Sequence, residues 1–285
     1  MFSGSIESPG DAWSRAPGDV EGASQVKVQW AYPRKRGRVA CVSLRPHCPP
    51  MSNLRQPRLL KLSGEALKGS SDGVLDPVEV DRVCGEVLGA VRGGQPVAIV
   101  IGGGNIFRGG EFRKGADPTR GDYLGMLATL FNALALKDAM ERLGGRAEVV
   151  GPQAVANVAK PYDRAQVMTW LRDGVVVIFG GGTGHPFFTT DTAAALRAAE
   201  IGAEELLKGS KVDGIYTADP KKDPAATRLA TLTFDEAVAG RYGVMDAAAF
   251  ALCRENRVPI RVFDMTYAGA ITAALGPNPP GTRVG

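Results

Sequence analysis

The apolar positions of this 285-residue chain change character at Arg58. From there on, short and mostly apolar runs alternate with longer stretches in which apolar residues return every three or four positions. The short runs are Arg58–Leu62, Pro96–Ile101, Ala147–Val150, Val175–Phe179, Glu205–Lys208 and Ile260–Phe263. Successive apolar positions fit a strand covered on both sides, because neighbouring side chains leave a strand on opposite faces. Pro77–Arg92 has helical spacing through Val80, Val83, Val87, Leu88 and Val91, with Asp76 placed to cap it ahead of a proline in its first turn. Gly121–Leu143 has the same spacing through Leu124, Leu127, Leu130, Leu134 and Met140, and Gly144-Gly145 stops it. Helices are also predicted at Asp191–Ile201, Phe234–Ala239 and Met245–Asn256. Strands alternating with helices predict an α/β fold, with a mainly parallel sheet carrying helices on both faces.

Residues 1–57 lack any such period. They are rich in Ser, Pro, Gly and Arg and end in a proline-studded run from Pro46 to Pro57. A segment of this kind buries too little apolar surface to offset the entropy of ordering it, so it is predicted to be a disordered extension, with residues 58–285 as one domain. Its four acidic residues and weak amphipathicity argue against a transit peptide. A regulatory tail and an over-long start are the competing readings, and Met51-Ser52-Asn53 would make an ordinary N-terminus for the domain that follows.

Charge narrows the partners. Seven of the 34 basic and four of the 30 acidic residues fall within the first 50, so the rest of the chain is nearly neutral at +1. That balance gives no broad footprint for nucleic acid. Cys41, Cys48, Cys84 and Cys253 form no CxxC pair and no cluster with His47 or His185. Neither a disulfide framework nor a zinc site is supported, and a reducing, cytoplasmic setting fits. No apolar run approaches the roughly 20 residues that cross a bilayer, so no membrane partner is expected.

Four stretches carry candidate chemistry. Lys61-Leu62-Ser63-Gly64-Glu65 puts an ammonium and backbone N–H groups at a strand end, where a phosphate could be met; alone it is a weak signal. Ile101-Gly102-Gly103-Gly104-Asn105 with Arg108 follows a buried strand, and its glycines permit close approach of backbone to ligand. It matches neither GxxxxGK[ST] nor GxGxxG, which argues against P-loop and dinucleotide folds. A second glycine loop, Gly180-Gly181-Gly182-Thr183-Gly184-His185-Pro186-Phe187-Phe188, leads through Thr189 and Thr190 into a helix, whose positive end favours an anion. Taken alone, the two phenylalanines would ordinarily be core. In Lys208–Pro220, Tyr216 could lie against a purine and Lys211 or Asp219 could meet ribose or phosphate; a plain surface hairpin is the alternative. Two anion loops without a nucleophile–base pair suggest phosphoryl transfer by positioning and charge stabilisation.

Six stretches, in order from Arg58 to Gly276, resemble the bacterial UMP kinases (uridylate kinases) of the amino-acid-kinase superfamily. They are KLSGEAL at Lys61–Leu67, IGGGNIFRG at Ile101–Gly109, GDYLGMLAT at Gly121–Thr129, GTGHPFFTTD at Gly182–Asp191, KVDGIYTADP at Lys211–Pro220 and RVFDM at Arg261–Met265. The resemblance implies a three-layer αβα sandwich around an open, mostly parallel sheet, transferring a phosphoryl from ATP, with magnesium, to UMP. It implies ATP contacts at Lys61, Leu62, Ser63, Gly64, Gly104, Arg108, Ser210, Tyr216 and Asp219. It implies UMP contacts at Gly103, at Asp122 through the ribose hydroxyls, and at Thr183, Gly184, His185, Pro186, Phe187, Phe188, Thr189 and Thr190. Lys61 and Arg108 would stabilise the transferring group, with Asp191 organising the lysines or the magnesium. A homohexamer built from dimers, activation by GTP and inhibition by UTP are also implied. His185 stands where Asn is usual in that family and Ser210 where Thr is common; both keep hydrogen-bonding ability. Acetylglutamate and carbamate kinases share the sheet but would not be expected to carry GDYLGMLAT with GHPFFTTD. Molybdenum-storage relatives are richer in histidine than this chain, which has two.

Overall fold

The computed structural model describes residues 55–69, 72–108, 117–218, 220, 222–223, 225–240, 242–243 and 245–285. Residues 1–54 of the predicted extension and, among the residues singled out above, Gly109 and Asp219 lie outside the described residues.

The strands are β1 (Arg58–Leu62), β2 (Val97–Ile101), β3 (Ala147–Gly151), β4 (Lys160–Pro161), β5 (Val176–Phe179), β6 (Leu206–Ser210), β7 (Ile215–Tyr216), β8 (Arg228–Leu229), β9 (Thr231–Leu232), β10 (Ile260–Asp264) and β11 (Thr282–Val284). The helices are α1 (Glu65–Lys68), α2 (Pro77–Arg92), α3 (Pro118–Arg142), α4 (Arg164–Arg172), α5 (Thr190–Ile201), α6 (Phe234–Ala239), α7 (Ala247–Glu255) and α8 (Ala270–Ala274). Among the described residues, nine strands form one sheet in the order β4-β3-β5-β2-β1-β6-β10-β11-β9. Neighbours pair in parallel except β10 with β11. β7 and β8 make a separate antiparallel ribbon.

The continuous apolar runs are explained by two cores, one on each face. Leu60, Leu62, Val97, Ile99 and Ile101 pack with Val80, Val83 and Val87 of α2, Leu136 and Met140 of α3, and Ile271 of α8. Leu59, Ala98, Val100, Val177 and Phe179 pack on the other face with Val167 and Leu171 of α4, Ala194 and Ala198 of α5, and Phe250 of α7. Adjacent residues of one strand thus serve opposite layers. This is the three-layer αβα arrangement around a mainly parallel sheet. Truncating a central residue such as Ile99, fully closed from solvent, would cost about 2–5 kcal/mol.

Boundaries differ from the sequence reading where caps decide them. α3 starts at Pro118 because Asp117 accepts the Thr119 N–H at 2.9 Å. α7 starts at Ala247 because Asp246 accepts from Ala249 N–H. α4 was not predicted: it buries only Val167 and Leu171, and its signal is the cap, Asp163 accepting from Ala165 and Gln166. The short strands β4, β7, β8, β9 and β11 carry too few residues to show a period.

Candidate active site

β1 and β6 are parallel neighbours with Lys61 in register with Lys208. Leu60, Leu62 and Leu207 point to the α2/α3 face, so both lysines point to the other, where α5 begins. Asp191 stands in the first turn of α5, where the positive helix end favours a carboxylate. Its Oδ1 lies 2.7 Å from Lys61 Nζ, and its Oδ2 accepts from Lys208 Nζ at 2.7 Å. The three side chains are only 12, 14 and 19 % exposed for Lys61, Asp191 and Lys208. Burial alone would raise the Asp191 carboxyl, but the charges of Lys61 and Lys208 outweigh it and hold the group below its usual value. The cluster carries one positive charge in excess, at the end of the sheet where β1 is flanked by β2 on one side and β6 on the other. Open parallel sheets bind ligands outside their carboxyl ends at such a point. A cleft of about 660 Å³ opens here between Lys61, Ser63, Glu65, Lys208, Ser210 and Thr266.

The first glycine loop is fixed by amide side chains rather than left mobile. Asn132, fully buried on α3, donates to Gly102 O at 2.7 Å and to Asn105 Oδ1 at 2.7 Å, and Asn105 returns a bond to Asn132 Oδ1 at 3.1 Å. Gly102 N–H donates to Leu62 O at 2.9 Å, joining this loop to the one after β1. Leu62 itself is a core side chain, so its part is this backbone link. A Cβ on Gly64 would lie 2.2 Å from Asn105 Oδ1 and 2.7 Å from Gly102 O, so the two loops meet only because Gly64 has no side chain. Arg108 turns back on the loop, pairing with Glu65 and donating weakly to Gly104 O.

The GDYLGMLAT stretch lies on α3 and reaches both glycine loops. Gly103 sits against Ala128 and Gly125, while buried Thr129 Oγ1 accepts the Gly181 N–H at 2.7 Å. Asp122 Oδ2 accepts the Phe187 N–H at 2.7 Å. Phe187 and Phe188 are 72 and 53 % exposed, so neither is core. Thr183 Oγ1 accepts from His185 N–H at 3.2 Å and closes a tight turn. Thr189 caps α5, accepting from Asp191 and Thr192 N–H, and its hydroxyl proton goes to Asp246. Thr192 also donates to Asp246, which ties the starts of α5 and α7 together. Thr190 Oγ1 approaches Gly102, bringing the first and second loops together. A further cavity between Pro152, Thr183, Gly184, His185, Phe188 and Arg197 lies beside the second loop.

Ser210 also borders a cleft formed with Tyr216, Thr217, Pro220 and Tyr242. Tyr216 donates to Asp213 at 2.8 Å, which raises its hydroxyl pKa. Lys61 and Ser63 line the first of two adjoining clefts, Tyr216 the second and Ser210 both, while Gly103 packs on α3 and Asp122 meets the second glycine loop at Phe187. Sequence reasoning gave no role to Lys208, Asn105, Asn132, Thr129 or Asp246. For Lys208 a signal existed: like Lys61, it closes an apolar strand. Asn132 and Thr129 belong to α3, Asn105 to the first glycine loop and Asp246 to the cap of α7, and the partners of each are distant in sequence. Cys84 and Cys253 are buried, their thiols pushed up to about 12 chiefly by burial, and take no part.

Residues 56–264 match the model of the amino acid kinase family. The structure is similar to that of UMP kinase from Ureaplasma parvum, with a TM-score of 0.77 and 34% identity over 81% of this chain and 99% of that one. UMP kinase from Bacillus anthracis gives 0.77 and 34% over 80% and 95%, and uridylate kinase from Archaeoglobus fulgidus 0.60 and 27% over 80% and 100%.

Proposed function

The chain belongs to the amino acid kinase family, and on that premise we propose that it is a UMP kinase, moving the γ-phosphoryl of ATP onto the phosphate of UMP to give ADP and UDP. The observation that carries this reading is the Lys61–Asp191–Lys208 cluster, set where the two glycine loops meet. Phosphoryl transfer asks a protein mainly for positioning and for positive charge beside the equatorial oxygens. Lys61 and Lys208 supply that charge, and Asp191 holds both in place before the nucleotide arrives. In this reading ATP lies along Ser63, Gly64, Ser210 and Tyr216, with Asp219 at its ribose or phosphate end and Arg108 swinging from Glu65 onto the phosphates. UMP lies against Gly103, Asp122 and the Thr183–Thr190 segment. Among the described residues no three His, Cys, Asp or Glu side chains could hold a metal, and both oxygens of Asp191 face lysines. The donor set thus fits magnesium carried in by the ATP phosphates with its own waters, rather than a resident site.

The test is ADP release with UMP, CMP, acetylglutamate and carbamate as acceptors, with and without GTP and UTP. Turnover with UMP supports the reading; turnover with an acid acceptor and none with UMP defeats it. The same reading places the enzyme in pyrimidine nucleotide synthesis in the cytoplasm, under GTP activation and UTP inhibition. No helix among the described residues is long and apolar enough to cross a membrane.

We also propose that the chain self-associates through α3, as the first step toward a homohexamer. Leu124, Leu127, Phe131 and Leu134 are 40–59 % exposed on one stripe of that helix. An antiparallel second copy, related by a two-fold axis level with residue 129, sets Leu124 opposite Leu134, Leu127 opposite Phe131 and Arg120 opposite Asp138. Self-complementarity of this kind is what a two-fold interface requires. Sedimentation should give a dimer or larger, and Leu127→Glu should halve the mass of the smallest stable species; an unchanged mass rules out α3.

A further inference from the structure

The second glycine loop is fastened to α3 at two points. Deep in the molecule, Gly181 N–H donates to Thr129 Oγ1. At the surface, Phe187 N–H donates to Asp122 Oδ2 at 2.7 Å. Between these points the backbone turns through positive φ, at 79° for Gly181, 59° for Gly182, 82° for Gly184 and 70° for Phe187. Glycine enters this region freely, whereas the Cβ of any other L-residue crowds a neighbouring carbonyl, and a bulky residue there is an outlier. The Phe187 ring stands largely in solvent, so packing does not hold it. A residue kept in an unfavourable conformation needs a restraint from its surroundings. The Phe187 N–H has one, and it is Asp122.

We infer that Asp122 is a positioning residue for the second glycine loop as well as a ligand for the acceptor. One carboxylate oxygen clasps the Phe187 amide, and its remaining lone pairs are left for the ribose hydroxyls. Acceptor binding and loop geometry are then coupled through a single side chain: filling the ribose subsite draws Asp122 and Phe187 into one network with the nucleotide. The coupling rests on the reading of Asp122 as the ribose ligand; the clasp does not.

Amide hydrogen exchange separates the two. In the full-length protein without nucleotide, the Phe187 amide should be protected, and Asp122→Ala should speed its exchange about tenfold, the factor contributed by one hydrogen bond of ordinary strength. The amides of β5 and of Gly181, which do not depend on Asp122, should be unchanged and report that the variant is folded. Asp122→Asn, which keeps an acceptor oxygen, should fall between the two and serves if the alanine variant does not fold. Equal exchange at Phe187 in wild type and Asp122→Ala, or in wild type and Asp122→Asn where only that variant folds, overturns the inference. Addition of UMP should slow Phe187 exchange further in wild type and not in Asp122→Ala. KM for UMP should rise in that variant while KM for ATP stays put. Failure of wild type to bind or phosphorylate UMP would sink the acceptor reading and leave the clasp measured by the first comparison. Slowing by UMP that survives loss of the carboxylate would refute the coupling.

Discussion

Gly103 and Gly104 are neighbours in the first glycine loop, yet packing asks different things of them. A Cβ on Gly103 would lie 2.7 Å from Ala128 Cβ, 2.9 Å from Gly125 O and 3.1 Å from Thr129 N, all on α3. On Gly104 the nearest atoms are Glu65 Cγ at 3.8 Å and Oε1 at 3.9 Å, an ordinary contact. Non-bonded carbons rest at about 3.5–4.0 Å, so Gly103→Ala must part the loop from the helix by about 1 Å. Two of the three obstacles are backbone atoms of a 25-residue helix, which cannot step aside. Overpacking of this kind costs about 1–3 kcal/mol, or about 4–8 °C in Tm near the middle of that range. A displacement of about 1 Å at the reacting centre costs turnover about 10²-fold. Gly104→Ala meets only a flexible side chain and should change stability by no more than about 0.5 kcal/mol. Scanning calorimetry of both variants, followed by the coupled ADP assay, makes the comparison. Equal melting temperatures would refute the packing argument, because a loop that merely needed flexible residues would suffer alike at both positions.

Asp191→Asn should cost about 3–5 kcal/mol at neutral pH, since it leaves two nearly buried lysines without their partner. The carboxyl is held low in the folded state, so the gap between wild type and variant should be full above about pH 4 and close as pH falls further. Urea titrations across that range check the sign, and a gap that widens on acidification contradicts it. Lys208→Ala should lower kcat on the order of 10²-fold if the lysine stabilises the transition state; full kcat would make it a structural group only. Asp246→Ala removes a helix cap and the acceptor of two threonine hydroxyls, and should lower stability by about 2 kcal/mol. Combining it with Thr189→Val should cost less than the sum of the two, because the pair shares one network; strict additivity would disprove that network.

The two-sided strands and α2 were legible because burial leaves runs and periods that survive in one dimension, whereas the period that marked α3 runs largely through Leu124, Leu127 and Leu134, which are exposed. The glycine loops were legible for a related reason: they follow those runs directly. Asn132 and Thr129 were not, although they hold the loops. Each is an isolated polar residue in a helix, and nothing local distinguishes a buried Asn bonded to Gly102 O from a solvated one. The exposure of Phe187 and Phe188 reversed the ordinary placement of aromatics, because the loop that carries them is aimed by Asp122 and by positive φ rather than by apolar burial. Helix α4 was hidden because two buried residues make too short a seam to count as periodic. Its cap Asp163 was the sign available.

Lys61 and Lys208 are far apart in the chain but side by side in the sheet, and parallel pairing is the reason. Strands running the same way deliver all their carboxyl ends to one edge. The lysine of β1, the lysine of β6, the first glycine loop after β2 and the second after β5 therefore converge there. Two ammonium groups brought so close repel each other, and burying either without a partner is costly. Asp191 removes both difficulties with its two oxygens, and the start of α5 stabilises the carboxylate in turn. In the proposed reaction the lysines are thus aimed before any phosphate is present, so that little reorganisation remains for the moment of transfer. A centre of this kind has no nucleophile to reveal it in the sequence. Its chemistry lies in the spacing of three ordinary residues, and that spacing exists only once the sheet has closed.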